Sequence, residues 1–439
     1  MATRYCNPAG TWAVAQDGTD SDGSQWQGPY GLQKAFDTVT AATLVGDTCK
    51  VKTGTCELNR LAKITVDSDK TGDGWAVSDD VQNHNDGGGA NGDDWNGILC
   101  EITATEMIVE LDSGDRVSDV STADGVYNTT QADACAGAHM TVAAATGLDL
   151  DTQAGDNTNG NITFEGVDGS WAVGDGSSYL VTVDADCGVG DNPDNCILLS
   201  NNPHRYKFRN FKFTNANADG VTTDDQYVYF HTYEWCIWSN NGADGLDSNN
   251  DFLDCRFVHC IFRDNTSSGL YYLNSRCHIL FSLFEGNTAN GALNTGNFTV
   301  FVGCLAYENG NDQYAQLRIC QLMANCVGAD ATGGSGVTTL SGMENVTIVG
   351  CRFTGNPDHG IEQVEGSGEA SNYEDYNVMY DNTNGDLQNI AGGMHSYGDD
   401  TNHIAETTSQ NYIDSDTDDY NVNSGADIRS VAIDLDWDV

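Results

Sequence analysis

The sequence predicts an all-β chain wound as a solenoid, a parallel β-helix of about ten coils or more. Three observations predict it. Six segments begin at Cys236, Cys260, Ser282, Cys304, Cys326 and Cys351, a recurrence near two dozen residues. A second column, Gly220, Gly245, Gly269, Gly291, Gly336 and Gly360, keeps a similar interval, doubled once between Gly291 and Gly336. Each period also holds short runs such as Asn345-Val-Thr-Ile-Val349, suited to a pleated strand, separated by Asn, Asp and Gly that tolerate left-handed turns. A unit this short cannot bury its apolar face alone, so neighbours must stack. A leucine-rich repeat of similar length would need its leucine framework and a helical return, and the sequence has neither.

The N-terminal elements fit the same plan. Residues 24–45 predict one helix: Pro29 stands where a first-turn proline is tolerated, and Leu32, Ala35, Phe36 and Val39 form an apolar stripe. Its expected role is to cover the open first coil. Tyr5-Cys-Asn-Pro-Ala-Gly10, the Asp17–Gly23 loop, Gly28–Phe36 and Gly46-Asp-Thr-Cys-Lys-Val-Lys-Thr-Gly-Thr-Cys56 resemble the N-terminal cap and first coil of the right-handed parallel β-helix (pectin-lyase-like) superfamily, with Cys56 in place of the usual Tyr. The likeness covers about the first seventy residues and much of 160–385, and the chain resembles phage-borne, tailspike-type members. It implies the fold. It implies little about function, because that superfamily includes lyases, hydrolases, epimerases, adhesins and virion proteins.

Four regions follow: 1–69, cap and first coil; 70–154, an inserted loop and β-hairpin region; 155–385, the parallel β-helix; and 386–439, a closing segment with an acidic tail. Within the insertion, Gly97–Ala104 and Met107–Leu111 predict a hairpin joined across Thr103–Glu106. Asn161–Gly166 reads as an early coil strand, and Asp414–Asn423 as the closing segment.

Asp plus Glu number 65 against 18 Lys plus Arg, a formal charge of −47. That balance excludes nucleic acid and anionic membrane as partners. No signal peptide and no run able to span a bilayer are visible, so membrane insertion is not expected. A virion component needs no export signal, and virion surface after cytoplasmic synthesis is the expected location, with extracellular the alternative. Fifteen cysteines are present. The column Cys236, Cys260, Cys304, Cys326, Cys351 is expected to stack as reduced, buried side chains, and Cys255 with Cys277 begins a second column. Occasional bridges remain compatible with the coil spacing.

Candidate sites are few. A polygalacturonase-type arrangement needs carboxylates on adjacent coils, whereas Asp224-Asp225 and Asp358-His359 lie far apart in sequence. Asp358-His359 precedes the repeat Gly and reads as a turn. Arg263 and Arg352 are outward bases that stand alone. No residue receives a catalytic role. Asp17, Asp20 and Asp22 are calcium candidates with oxygen ligands, against a plain turn; no cofactor is required. Arg205, Lys207, Arg209 and Lys212 alternate with inward Tyr206 and Phe208 and offer a basic face for an acidic sugar or an acidic neighbour, against local neutralisation. Tyr233 and Trp235 are expected to point outward, with His259 and Phe281 in the same slot on the next coils; such a row suits a sugar ring, a subunit interface or loop cover.

The sequence points to a non-enzymatic virion surface or structural β-helix protein, capsid-decorating or fibre-like, in contact with glycans. The resemblance favours a homo-oligomer, a trimer, alongside other virion proteins. The alternative is a polysaccharide lyase, hydrolase or tailspike-like depolymerase.

Overall fold

A computed structural model describes residues 3–10, 12, 18–19, 25–39, 48–66, 69–85, 89–90, 95–112, 115–120, 125–135, 140–144, 148–150, 161–173, 181–185, 193–200, 204–224, 227–249, 252–293, 296–319, 321–339, 345–363, 372–375, 377–388, 394–396, 404–405, 412–414 and 419–422. The chain divides into two compact units, Met1–Asp224 and Asp225–Val439. Among the described residues no helix is long and apolar enough to cross a membrane.

In the first unit three parallel sheets are built one strand per coil. Thr3–Asn7, Thr48–Lys52, Ile162–Val167 and Tyr206–Arg209 form the first; Gly54–Glu57, Val181–Asp184 and Phe211–Thr214 the second; Leu148–Leu150, Ile197–Leu199 and Val221–Thr223 the third. Inward side chains stack across coils: Phe164 lies 5.3 Å from Phe208, near-parallel. The helix spans Gly28–Val39, within the expected limits. Leu32, Ala35 and Phe36 are fully buried, and Phe36 meets Phe164 edge-on at 4.6 Å.

After Gly54–Glu57 the chain leaves the coil, and it returns at Leu148–Leu150. Between them lies an antiparallel sheet. The expected hairpin is there: Asn96–Ile102 pairs with Glu106–Leu111. The sheet also recruits Leu61–Val66 and Met140–Ala144. One face carries its own core, including Ile64, Trp75, Trp95, Leu99, Met107 and Val109.

The second unit repeats the three-sheet coil. Its first sheet runs from Thr232–Glu234 through Arg256–Val258, His278–Leu280, Val300–Val302, Leu322–Ala324 and Thr347–Val349. The second runs from Ile237–Ser239 through Ile261–Arg263, Leu283–Glu285, Leu305–Tyr307, Val327–Ala329 and Arg352–Thr354. The third includes Leu270–Tyr271, Ala292–Leu293, Tyr314–Leu317, Val337–Thr339 and His359–Gln363. Coil-type pairing extends beyond residue 385, with Ile404–Ala405 beside Val378–Tyr380.

The repeat columns are physical columns. Cys236, Cys260, Cys304, Cys326 and Cys351 are buried, as are Cys255 and Cys277. Thirteen cysteines are described, and all are free thiols. Asn241, Asn265, Asn287 and Asn309 form a ladder in which each Nδ2 donates to the next Oδ1 at 2.9 Å. Ala331 breaks the ladder, and Gln313 fills the gap, accepting from Asn309 Nδ2 and donating to the Ala329 carbonyl. The ladder resumes at Asn356 and Asn382.

Candidate functional site

The outward surface is set by how each coil turns from its first sheet to its second. In every coil of the second unit from residue 232 to 354 a single left-handed residue makes that turn: Trp235, His259, Phe281, Gly303, Asn325 and Gly350, with φ between 50° and 63°. L-residues other than Gly, Asn and Asp seldom adopt this region. Three bulky rings in it therefore stand out. One left-handed residue also reverses the in–out alternation along the chain. Tyr233 and Cys236 consequently both point inward.

This corrects the expectation for Tyr233. Its ring is wholly buried, stacked on Phe257 at 5.2 Å and 7°. Alternation counted back from Cys236 fails because it passes through the Trp235 bend. Trp235 does point outward. It stacks on His259 at 4.1 Å and 10°, and His259 on Phe281 at 5.4 Å and 19°. Trp235 and His259 are half-buried and Phe281 is exposed. Desolvation holds the His259 imidazole below its usual pKa against the opposing pull of Glu234. The row thus presents a neutral aromatic face near neutral pH.

The basic run lies in the first unit and is not one face. Tyr206 and Phe208 point inward as expected, with Lys207 and Arg209 half-buried between them. Asn210, at φ 60°, then turns the chain, so Lys212 projects from the second sheet. Arg205 sits at another left-handed corner, with φ 63°. Arg209 pairs with Glu165 at 3.3 Å, and Glu165 stands in register with Lys50. Here Arg209 offsets a local acid. Arg352, expected to be an outward base, is 3% exposed. Asp17, Asp20 and Asp22 lie outside the described residues.

A cluster missed in the sequence forms on three successive coils at the start of the third sheet. Ser335 N donates to Asp312 Oδ1 at 2.8 Å, and Thr338 Oγ1 donates to Asp312 Oδ2 at 3.1 Å. One coil on, His359 N donates to Ser335 Oγ at 3.2 Å, and that hydroxyl donates to Glu362 Oε2 at 2.7 Å. Asn384 Nδ2 donates to Asp358 Oδ1 at 2.8 Å, and His359 Nδ1 lies 2.9 Å from the same oxygen. Ligand atoms of Asp358, His359 and Glu362 all fall within 4.8 Å of one another. Burial pushes the Asp312 carboxyl up to about 6, against the donors Ser335 and Thr338, with Glu362 and Asp358 adding repulsion. Asp358-His359 thus joins a polar cluster at the turn into the third sheet. The signal that finds it is the column Asp312, Ser335, His359, aligned by the repeat rather than read along one coil.

Comparison with known proteins bears on the fold. A family model described as a right-handed β-helix region matches residues 195–384. No curated protein matches the chain. Among solved structures, a pectate lyase superposes with a TM-score of 0.50 at 12% identity, over 95% of this chain and 84% of that one. A mannuronan C-5 epimerase A-module from Azotobacter vinelandii gives 0.41 at 10% identity, over 90% and 100%. A rhamnogalacturonan lyase gives 0.38 at 10%, over 94% and 91%.

Proposed function

We infer from the right-handed parallel β-helix fold, of the pectin-lyase-like kind, that this protein binds an extended glycan along its surface. The observation that carries the reading is the stacked row Trp235, His259, Phe281, three near-parallel rings on consecutive coils. Pyranose rings carry apolar faces that stack on aromatic side chains, and a regular row suits a regular polymer. A formal charge of −47 disfavours an acidic polymer, so a neutral glycan is the ligand class. The test is affinity electrophoresis and calorimetry against neutral β-glucans and mannans, with polygalacturonate and alginate as acidic comparators. Binding of a neutral polymer that Trp235→Ala weakens about tenfold or more supports the reading. Binding untouched by that substitution, or no glycan bound, sinks it.

A non-enzymatic role at a virion surface rests on the sequence reading alone. The second reading is a polysaccharide lyase or hydrolase. It draws on Asp312, which stays protonated to about pH 6 beside the carboxylates Asp358 and Glu362, an acid and bases in one place. New reducing ends or unsaturated products from any of the four polymers, lost in Asp312→Asn, establish that reading. Intact polymer after prolonged incubation removes it.

A further inference from the structure

We propose that Asp358, His359 and Glu362 bind one first-row divalent cation, zinc or manganese. The site is separate from the aromatic row and does not depend on the glycan reading. Three features of the geometry point to it.

The donor set is mixed. One imidazole and two carboxylates, with ligand atoms mutually within 4.8 Å, match borderline cations better than calcium, which takes oxygen ligands alone. The bite is right as well. His359 Nδ1 and Asp358 Oδ1 stand 2.9 Å apart. Two adjacent ligands at ~2.1 Å from an octahedral ion are separated by ~3 Å.

His359 Nδ1 supplies an independent sign. It is shielded from solvent and has no aligned hydrogen-bond partner, and the side chain is only 12% exposed. The nearby Asp358 oxygen is a close contact without hydrogen-bond alignment. A buried ring nitrogen without an aligned hydrogen bond carries a desolvation cost that a cation would remove.

The carboxylates are already oriented. Asn384 fixes Asp358 Oδ1 and Ser335 fixes Glu362 Oε2, the outer support that metal-ligating groups commonly have. Among the described residues no lysine or arginine pairs with Asp312, Asp358 or Glu362. The negative charge gathered there is left for a cation to neutralise.

The test uses the full chain, stripped with chelator and titrated calorimetrically with zinc, manganese and calcium chloride in turn. The expected result is one tight equivalent of zinc or manganese, weakened about 10-fold or more in both His359→Gln and Glu362→Gln. Weak additional binding to the acidic surface should be the same in all three proteins. A measurement on the unaltered chain guards against misfolded variants: substoichiometric manganese should selectively broaden the His359 ring resonances. Superimposable titrations of wild type and variants overturn the proposal. So does calcium binding as tightly as zinc, or manganese leaving the His359 resonances sharp.

Discussion

Glu110 caps the helix from eighty residues away: its Oε2 accepts the backbone N–H of Tyr30 at 3.1 Å. The other oxygen accepts from Trp12 N at 3.2 Å and lies 3.5 Å from Arg60 Nη2. A strand of the antiparallel sheet thereby satisfies an otherwise orphaned donor in the first turn of the helix. Gly28, at φ 75°, gives the carboxylate room, and a Cβ there would collide with it. Burial lifts Glu110 to about 7 despite Arg60 and the two donors. Glu110→Ala strips the buried Arg60 of its carboxylate, though its Nε still donates to the Leu111 carbonyl, and should cost about 3–5 kcal/mol. Replacing both with apolar residues of like volume should cost much less. Chemical denaturation of the two variants checks this; equal losses would show that the pair itself is not what matters.

The asparagine ladder makes a second prediction. Asn287 Nδ2 donates to Asn309 Oδ1 and to the Phe262 carbonyl, while its Oδ1 accepts from Asn265. Asn287→Ala orphans buried groups and should cost about 1–3 kcal/mol. At the gap the logic inverts. Ala331→Asn brings a side chain against Gln313 and should destabilise alone, yet recover when combined with Gln313→Gly. A double-mutant cycle on melting temperature reads this coupling. Strict additivity would argue that Gln313 does not stand in for the missing rung.

The stacked columns were legible because equivalent residues recur at a fixed step and carry the same chemistry, as Cys260 and Cys304 or Asn265 and Asn287 do. The helix was legible from Pro29 and the stripe Leu32, Ala35, Phe36. What the period could not reveal was the bend. A left-handed turn at Gly303 or Asn325 is suggested by residue type, but the same turn at Trp235 or His259 carries no local mark. Strict alternation therefore puts Tyr233 on the wrong side. Asp312, Ser335 and His359 were hidden for a different reason: each is unremarkable in its own coil, and they gain meaning only when stacked.

Asp312 gives stability a defined pH dependence. Its folded pKa, about 6, lies above the ordinary aspartate value of about 3.9. Between these values the native state holds a proton that the unfolded chain has released. Stability therefore falls as pH rises through this window, by up to about 3 kcal/mol when complete. Asp312→Asn keeps the neutral shape and removes the penalty. In metal-free protein its melting temperature should exceed wild type at pH 7 and converge with it below pH 4. A constant difference across that range would assign the effect to packing rather than protonation.

Thiol reactivity tests the buried columns. Desolvation pushes the Cys260 thiol up to about 12, and the described cysteines are all buried. Thiolate is the reactive form. Of the fifteen cysteines, only Cys187 and Cys320 lie outside the described residues, so a native chain should react with a thiol reagent at two positions at most. Denaturant should release the rest. Rapid modification of Cys236 or Cys304 in the native protein, mapped by mass spectrometry, would contradict the stack.

Tyr233 and Trp235, two residues apart, should behave as opposites. Tyr233→Ala empties a core position between Phe257 and Trp238, whose rings lie 5.2 Å and 5.4 Å away, and should cost about 3–5 kcal/mol. Trp235→Ala removes an outward ring resting on His259 and should cost about 1 kcal/mol, because the left-handed backbone bend remains. Glycan binding reverses the order: the Trp235 variant should lose affinity while folded Tyr233 variants, such as Tyr233→Phe, keep it. Tyr233→Phe also retains the ring stack, so it separates loss of the side chain from loss of its hydroxyl. Comparable losses of stability at both positions would place Trp235 in the core and remove the surface on which the glycan reading depends.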